Sequence, residues 1–101
     1  MAELSDNLIL AERRSKTFKI LGDPTRLKLL TAIHFAGQYV YTVGELADAA
    51  GLRMATVSAS LRAMERVGTV KSARQGRSIK YAIADDDVHN LLHWMGATHE
   101  I

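Results

Sequence analysis

The chain has no cysteine, and its only proline is Pro24. Without thiols, disulfides, thiolate metal sites and cysteine redox switches are all excluded. No apolar run approaches the roughly 20 residues of a membrane helix, and no stretch reads as a signal peptide. The expected location is therefore cytoplasmic, with no membrane partner. Internal repeats and low-complexity segments are absent too. The formal net charge is only +2, with a pI near 9.2, which is a weak global sign of nucleic-acid binding. No nucleophile, base and orienting group stand in a pattern that suggests turnover, so an enzyme is not expected.

What is present is a single-domain length, 101 residues, with 48% hydrophobic residues. That suffices for one core, although so short a chain gains from dimerisation. The expectation is one domain over residues 1–101. Its charge is distributed unevenly. Arg53, Arg62, Arg66, Lys71, Arg74, Arg77 and Lys80 fall in one third of the chain, and the acidic block Asp85-Asp86-Asp87 follows them.

The stretch from Val43 to Val70 carries the strongest pattern. Val43, Leu46, Ala47 and Ala50 recur at helical spacing, and Gly51 follows where a helix-ending glycine takes positive φ. Leu52 anchors the turn. A second helix follows, with Val57, Leu61 and Met64 as its apolar stripe and Gly68 at its end. Two short helices joined through a glycine turn form a helix-turn-helix, whose second helix enters the DNA major groove. The outer side of that helix is small (Ala55, Thr56, Ser58, Ala59), which permits close approach to base edges.

A hairpin comes next. Thr69 to Arg74 and Ser78 to Ile83 read as strands around a Gln75-Gly76 turn, with Ile79, Tyr81 and Ile83 on one face. Lys71, Arg74, Arg77 and Lys80 are placed at its tip. A basic hairpin directly after a recognition helix is a wing that neutralises phosphates.

The rest of the chain frames this unit. Met1 to about Asn7 is polar and expected to fray. From Leu8, a helix with Leu8, Ala11, Ser15 and Phe18 near one stripe runs to Gly22. Asp23 caps a second helix with Pro24 at its first position. In it Leu27, Leu30, Ile33 and His34 point inward, Arg26 and Lys28 face solvent, and Gly37 ends it. Gln38 to Thr42 is a linker that adds a minor strand to the wing sheet. Asp85 or Asp86 caps a last helix, Asp87 to Thr98, carrying Val88, Leu91, Leu92 and Met95. The first and last helices hold more apolar surface than one small winged domain covers, which implies a symmetric dimer.

The segments KILGDPTRLKLLTAI, VGELADAAGLRMATVSASLRAM, RQGRSIKYAI and DDDVHNLL together resemble the ArsR/SmtB family of bacterial transcriptional repressors. The similarity runs from about Phe18 to Leu92. Its most specific parts are the LGDPTR turn, the recognition helix around Val57-Ser58 and Leu61, and the QGR wing tip. The resemblance implies a mainly α fold with a small β-hairpin, a winged helix-turn-helix in the order α-α-α-α-β-β-α. It also implies a homodimer through the first and last helices, bound to a double-stranded DNA operator. The DNA contacts would come from Arg53, Met54, Ala55, Thr56, Ser58, Ala59, Arg62, Arg74, Gln75, Arg77 and Lys80. Many relatives carry histidine or arginine where Ala59 stands, and glutamine near Met54. Base contacts here therefore reduce to Thr56 and Ser58, with Arg53 and Arg62 reaching phosphates.

Many family members release DNA when a metal ion binds. The family site in the last helix pairs a carboxylate with a histidine two residues on, and takes two ligands about three turns further from the partner chain. Carried onto this sequence, those positions are Asp85 and Asp87, then Thr98 and Ile101, so the second half is missing. Other donors lie nearby. His89 and His93 share a helix face at i, i+4, and His99 and Glu100 follow. Imidazole with carboxylate suits zinc, nickel or cobalt. Three alternatives stay open at this point: a non-metal inducer, no inducer, or a winged-helix protein-interaction module.

Overall fold

The computed structural model describes residues 2–95. Five helices and one hairpin follow in order: α1 Ala2–Leu21, α2 Pro24–Ala36, α3 Val43–Ala50, α4 Met54–Arg66, β1 Val70–Gln75, β2 Ser78–Ile83 and α5 Asp86–Trp94. This is the α-α-α-α-β-β-α winged helix-turn-helix order. The first helix begins at Ala2, well before the expected start at Leu8. Its early turns are exposed and polar, so no apolar period marks them. The last helix starts at Asp86, one residue before the expected Asp87, and runs to Trp94 with Met95 as its C-cap; residues 96–98 of its expected span lie outside the described residues.

Side-chain caps set most helix starts. Asp23 Oδ2 accepts the Arg26 N–H at 2.9 Å, with Pro24 opening α2. Thr42 and Glu45 form a reciprocal capping box on α3: Glu45 N–H donates to Thr42 Oγ1 at 3.2 Å, and Thr42 N–H donates to Glu45 Oε1 at 2.9 Å. Asp85 Oδ1 accepts from the Asp87 and Val88 N–H groups at the start of α5. Helix ends use positive φ where the turn demands it. Gly51 sits at φ 68, ψ 37, the left-handed geometry that closes α3 and redirects the chain into α4.

The core gathers one face of every element. Leu29, Leu30 and Ile33 of α2 lie at its centre. Leu46 and Ala47 of α3 and Val57, Leu61 and Met64 of α4 surround them. Val70, Tyr81 and Ile83 of the hairpin, Val88 and Leu92 of α5, and Leu21 complete it. Leu29 belongs to this centre beside the expected Leu30 and Ile33. Arg26, expected in solvent, is half-buried: Nε donates to Ile20 O at 2.9 Å and Nη2 to Lys19 O at 3.1 Å. Its cation thus satisfies carbonyls at the end of α1, where the helix dipole favours positive charge.

The strands pair antiparallel from Val70↔Ile83 to Gln75↔Ser78. The loop is therefore Gly76-Arg77, one residue later than the expected Gln75-Gly76. Gly76 at φ 64 takes the first central position, where two-residue hairpin loops favour a positive φ on glycine. Ile79 is 38% exposed, so only Tyr81 and Ile83 of the expected inner face are buried, joined by Ala82. The 38–42 segment joins the sheet through an antiparallel bridge, Thr42↔Lys80, and through Tyr39 N–H to Tyr81 O at 3.0 Å.

Two predictions follow from the caps. A Cβ at Gly51 meets nothing within 4 Å, so Gly51→Ala carries only the left-handed backbone cost. It should lower unfolding stability by about 1–2 kcal/mol in urea melts. For Glu45, the Thr42 backbone hydrogen bond, followed by the Thr42 hydroxyl, holds the carboxyl below its ordinary value of 4.5. A depressed folded-state pKa means stability present above the unfolded-state value and lost as pH falls through the folded-state value. Glu45→Gln should therefore be less stable than the parent at neutral pH. The two should converge as pH drops below about 4.5, checked by thermal melts across the acid range.

Candidate nucleic-acid interface

The α4 helix buries Val57, Leu61 and Met64 against α2 and α3, which turns the opposite face to solvent. Met54, Ala55, Thr56 and Ala59 are exposed on that face, and Ser58 is half-buried. All but Met54 are small, so the helix backbone is unusually accessible from outside. Arg53 precedes the helix in an extended conformation, and no side-chain hydrogen bond caps α4 there. Among the described residues, α2, α3 and α5 all carry such a cap. The first-turn N–H groups of α4 are thus left to solvent or to an approaching anion.

Arg62 folds back along the helix. Its Nη2 donates to Ser58 Oγ at 2.7 Å, one turn away. This places the guanidinium beside the small-residue face and holds the Ser58 hydroxyl in one orientation. Arg66 and Arg53 are exposed at the two ends of the helix.

The hairpin carries its charge less simply than expected. Arg74, Gln75 and Arg77 are exposed around the Gly76-Arg77 loop and form the tip. Lys71 pairs with Ala82 and Lys80 with Ala73, so both lie down the strands, away from the tip. Lys80 is half-buried at the bridge to Thr42, where its charge also helps to lower the Glu45 pKa. Strand register, invisible in composition, moved these two lysines. At the hairpin base, Tyr81 is 7% exposed, and burial, followed by the Glu65 carboxylate, raises its phenol pKa.

The expected metal donors divide into two groups. The two described acidic donors are engaged: Asp85 caps α5, and Asp87 pairs with Arg13 Nη2 at 3.3 Å. His89 and His93 stack along the exposed side of α5, with ring centres 6.4 Å apart. The sequence reading set His34 among inward core residues. In the fold its ring lies edge-on to both, at 5.1 Å from His89 and 6.0 Å from His93. Helical spacing links His89 with His93, but nothing in the sequence links either to a residue 55 or more positions earlier. Among the described residues no group of three or more His, Cys, Asp or Glu side chains is placed so that it could hold a metal ion. His99 and Glu100 lie outside the described residues. No described helix is long and apolar enough to cross a membrane.

Comparison with known proteins agrees with this architecture. A family described as "Helix-turn-helix domain" matches residues 21–72, just over half of the chain. The HTH-type transcriptional regulator NmtR of Mycobacterium tuberculosis is 35% identical over 82 residues, covering 81% of this chain and 66% of NmtR. The crystal structure of the antimony-specific transcriptional repressor AntR superposes with a TM-score of 0.75 at 33% identity, covering 84% of this chain and 75% of AntR. The solution structure of the homodimeric winged helix-turn-helix DNA-binding domain of Mb0332 from Mycobacterium bovis gives a TM-score of 0.68 at 28% identity, covering 88% of this chain and 80% of that one. The chain spans between 59% and 66% of the length of the first four curated relatives it matches. The helix-turn-helix family match, the sequence identity to these regulators and the superposition on their winged folds show that the chain belongs to the ArsR/SmtB family of winged helix-turn-helix transcriptional regulators.

Proposed function

We propose that this chain is a cytoplasmic, sequence-specific DNA-binding repressor that acts as a homodimer on a double-stranded operator, with residues 1–101 working as one winged domain. The observation that carries this is the small, exposed face of α4 set beside an exposed basic hairpin tip. In this reading α4 enters the major groove. Thr56 and Ser58 offer hydroxyls to base edges, while Ala55 and Ala59 allow apolar contact with a thymine methyl. Met54 lies at the groove entrance. Arg53, Arg62, Arg74 and Arg77 contact phosphates, with Gln75 beside them, and Lys80 supports the wing from behind. Phosphate contacts fix register and carry most of the salt dependence.

The dimer rests on α1 and α5. Leu4, Leu8, Ile9 and Phe18 are exposed along α1, and Trp94 is 80% exposed on α5. Apolar faces of this kind mark a partner surface. The homodimeric relative supports a second copy as that partner. Two copies would set two recognition helices one turn of DNA apart.

A second reading, release from the operator by a divalent ion, is favoured by the stacked imidazoles of His89 and His93 on α5. The donor set proposed for zinc, nickel or cobalt is Asp85, Asp87, His89, His93, His99 and Glu100. The AntR relative is described as antimony-specific, and a soft ion of that kind favours thiolates that this sequence lacks. Harder, imidazole-binding dications suit this chain better.

Two measurements test the proposal. Arg77→Ala should weaken binding about equally on all DNA sequences. It should also reduce the slope of log affinity against log salt by about one unit, as expected for one lost phosphate contact. An unchanged slope in a fluorescence-anisotropy titration would place the wing off the DNA. For assembly, the parent protein should sediment as a dimer at micromolar concentration. Leu8→Glu should remain folded, because Leu8 is exposed in the protomer, yet sediment as a monomer with much weaker operator binding. A monomeric parent would refute the dimer.

A further inference from the structure

We propose that a cleft between α1, the α4–β1 turn and the start of α5 binds a small organic acid, a carboxylate on an apolar body of a few carbons with an oxygen on the carbon beside it. The cleft has a volume of about 440 Å³. That lies within the range of about 300–1,000 Å³ usual for small-molecule sites. Thr17, 4% exposed, and Thr69, 1% exposed, form its inner wall. Among the described residues, Thr69 Oγ1 has no hydrogen-bond partner. A buried hydroxyl left this way carries its desolvation cost until a ligand atom bonds to it. Ile20 is half-buried and Val67 is exposed, and both add apolar surface to the walls. Lys16 and Lys19 are exposed at the rim, and among the described residues neither enters an ion pair. The two carboxylates of the cleft are committed already: Asp85 accepts the N–H groups that start α5, and Asp87 pairs with Arg13. The uncommitted charge is therefore positive, which favours an anion and disfavours a dication. A bare inorganic anion would leave Ile20 and Val67 uncovered, so the apolar walls select an organic one.

The cleft lies where three functional parts of the fold meet. Thr69 N–H donates to Met64 O of α4 at 2.9 Å, and Thr69 O accepts from Ala84 N–H at 2.9 Å and Asp85 N–H at 3.3 Å. One residue thus ties the end of α4 to the base of the hairpin and to the cap of α5. On α1, Arg13, Thr17 and Ile20 recur at i, i+4 and i+7, so they share the side of the helix that lines the cleft. Leu4, Leu8 and Phe18 of the proposed dimer face lie on the opposite side, so a second copy seated there sits across the helix from the ligand. A ligand between α1 and Thr69 would bias how the dimer helix sits against the recognition helix and wing. That regulatory consequence rests on the repressor reading above, and operator affinity changes only if one arrangement binds the acid more tightly.

The test is calorimetric titration of the DNA-free protein with pyruvate, α-ketobutyrate and α-ketoisocaproate as sodium salts. Isocaproate, sodium phosphate and isoamylamine hydrochloride serve as contrasts at matched ionic strength. At least one keto acid should bind at one per chain, with Kd on the order of 0.1–1 mM for so small a ligand. Thr69→Val keeps the side-chain shape and removes the hydroxyl. It should weaken the bound keto acid about fivefold, the scale of one hydrogen bond, and leave isocaproate unchanged. Without ligand it should melt no lower than the parent, because an unpartnered hydroxyl is replaced by a methyl. The exposed pair Lys16→Gln/Lys19→Gln should stay folded and also lose affinity. The site is overturned if none of the keto acids binds below 10 mM, on the order of one-tenth of the affinity expected. Equal or tighter binding of phosphate or of the amine would overturn it as well. So would parent-like affinity in both variants. Operator affinity measured without any acid decides the repressor reading by itself, whatever the titrations give. Binding that leaves operator affinity unchanged supports the site and overturns its regulatory role.

Discussion

The wing is a two-stranded hairpin, and such hairpins are at best marginally stable alone in water. Its position therefore depends on the short segment between α2 and α3. Gln38 clamps β2 with both ends of its amide: Nε2 donates to Ile83 O at 3.1 Å, and Ile83 N–H donates to Oε1 at 3.0 Å. Tyr39 N–H bonds to Tyr81 O, Tyr81 N–H to Tyr41 O, and Thr42 bridges to Lys80. Thr42 then caps α3. One stretch of five residues thus fixes the hairpin against the helix-turn-helix. The geometry has a cost, because Tyr39 adopts φ 59, a left-handed conformation that a side chain of its size rarely takes. About 1–2 kcal/mol of local strain is held in place by the bonds on either side.

Much of the fold was legible because local chemistry and global packing agree. Asp23-Pro24, Thr42 with Glu45, and Gly51 are punctuation that acts within four residues, and the helices begin and end there. The apolar stripe of α4 needed only helical periodicity. The features that escaped reading are those set by partners far away in sequence. Arg26 looks like an ordinary surface cation until the end of α1 is folded onto it. Lys80 looked like a tip residue until strand register placed it opposite Ala73. Residues 2–7 form helix without an apolar period of their own, and their exposed Leu4 is the only hint of a face that another surface would cover.

The same reasoning separates the two roles of α5. Leu92 stood out as an apolar residue of the last helix, and the dimer surface seemed a natural place for it. It is 2% exposed within one protomer, packed in the core. Trp94, two residues on, has almost all of its surface in solvent. Each residue of a helix advances about 100° around the axis, so neighbouring positions serve different surfaces. One side of α5 seals the core, another carries the bare tryptophan, and a third carries His89 and His93. A short helix can therefore hold the protomer together, face a second copy and present imidazoles at once.

How the proposed recognition helix would discriminate sequences follows from what its face lacks. Its exposed first two turns carry one methionine, two alanines, a threonine and a serine hydroxyl already bonded to Arg62. No arginine, asparagine or glutamine stands there to make a bidentate contact with a purine, the kind of pair worth about 1–3 kcal/mol of discrimination. Hydroxyl contacts and thymine methyls offer less, and Arg62 is tethered along the helix. Specificity in such an interface has to draw on close backbone approach, on paired half-sites at fixed spacing, and on the shape and flexibility of the operator between them. The small residues of α4 and the dimer face are thus two parts of one strategy: a helix that reads little per base needs a second copy held at a set distance.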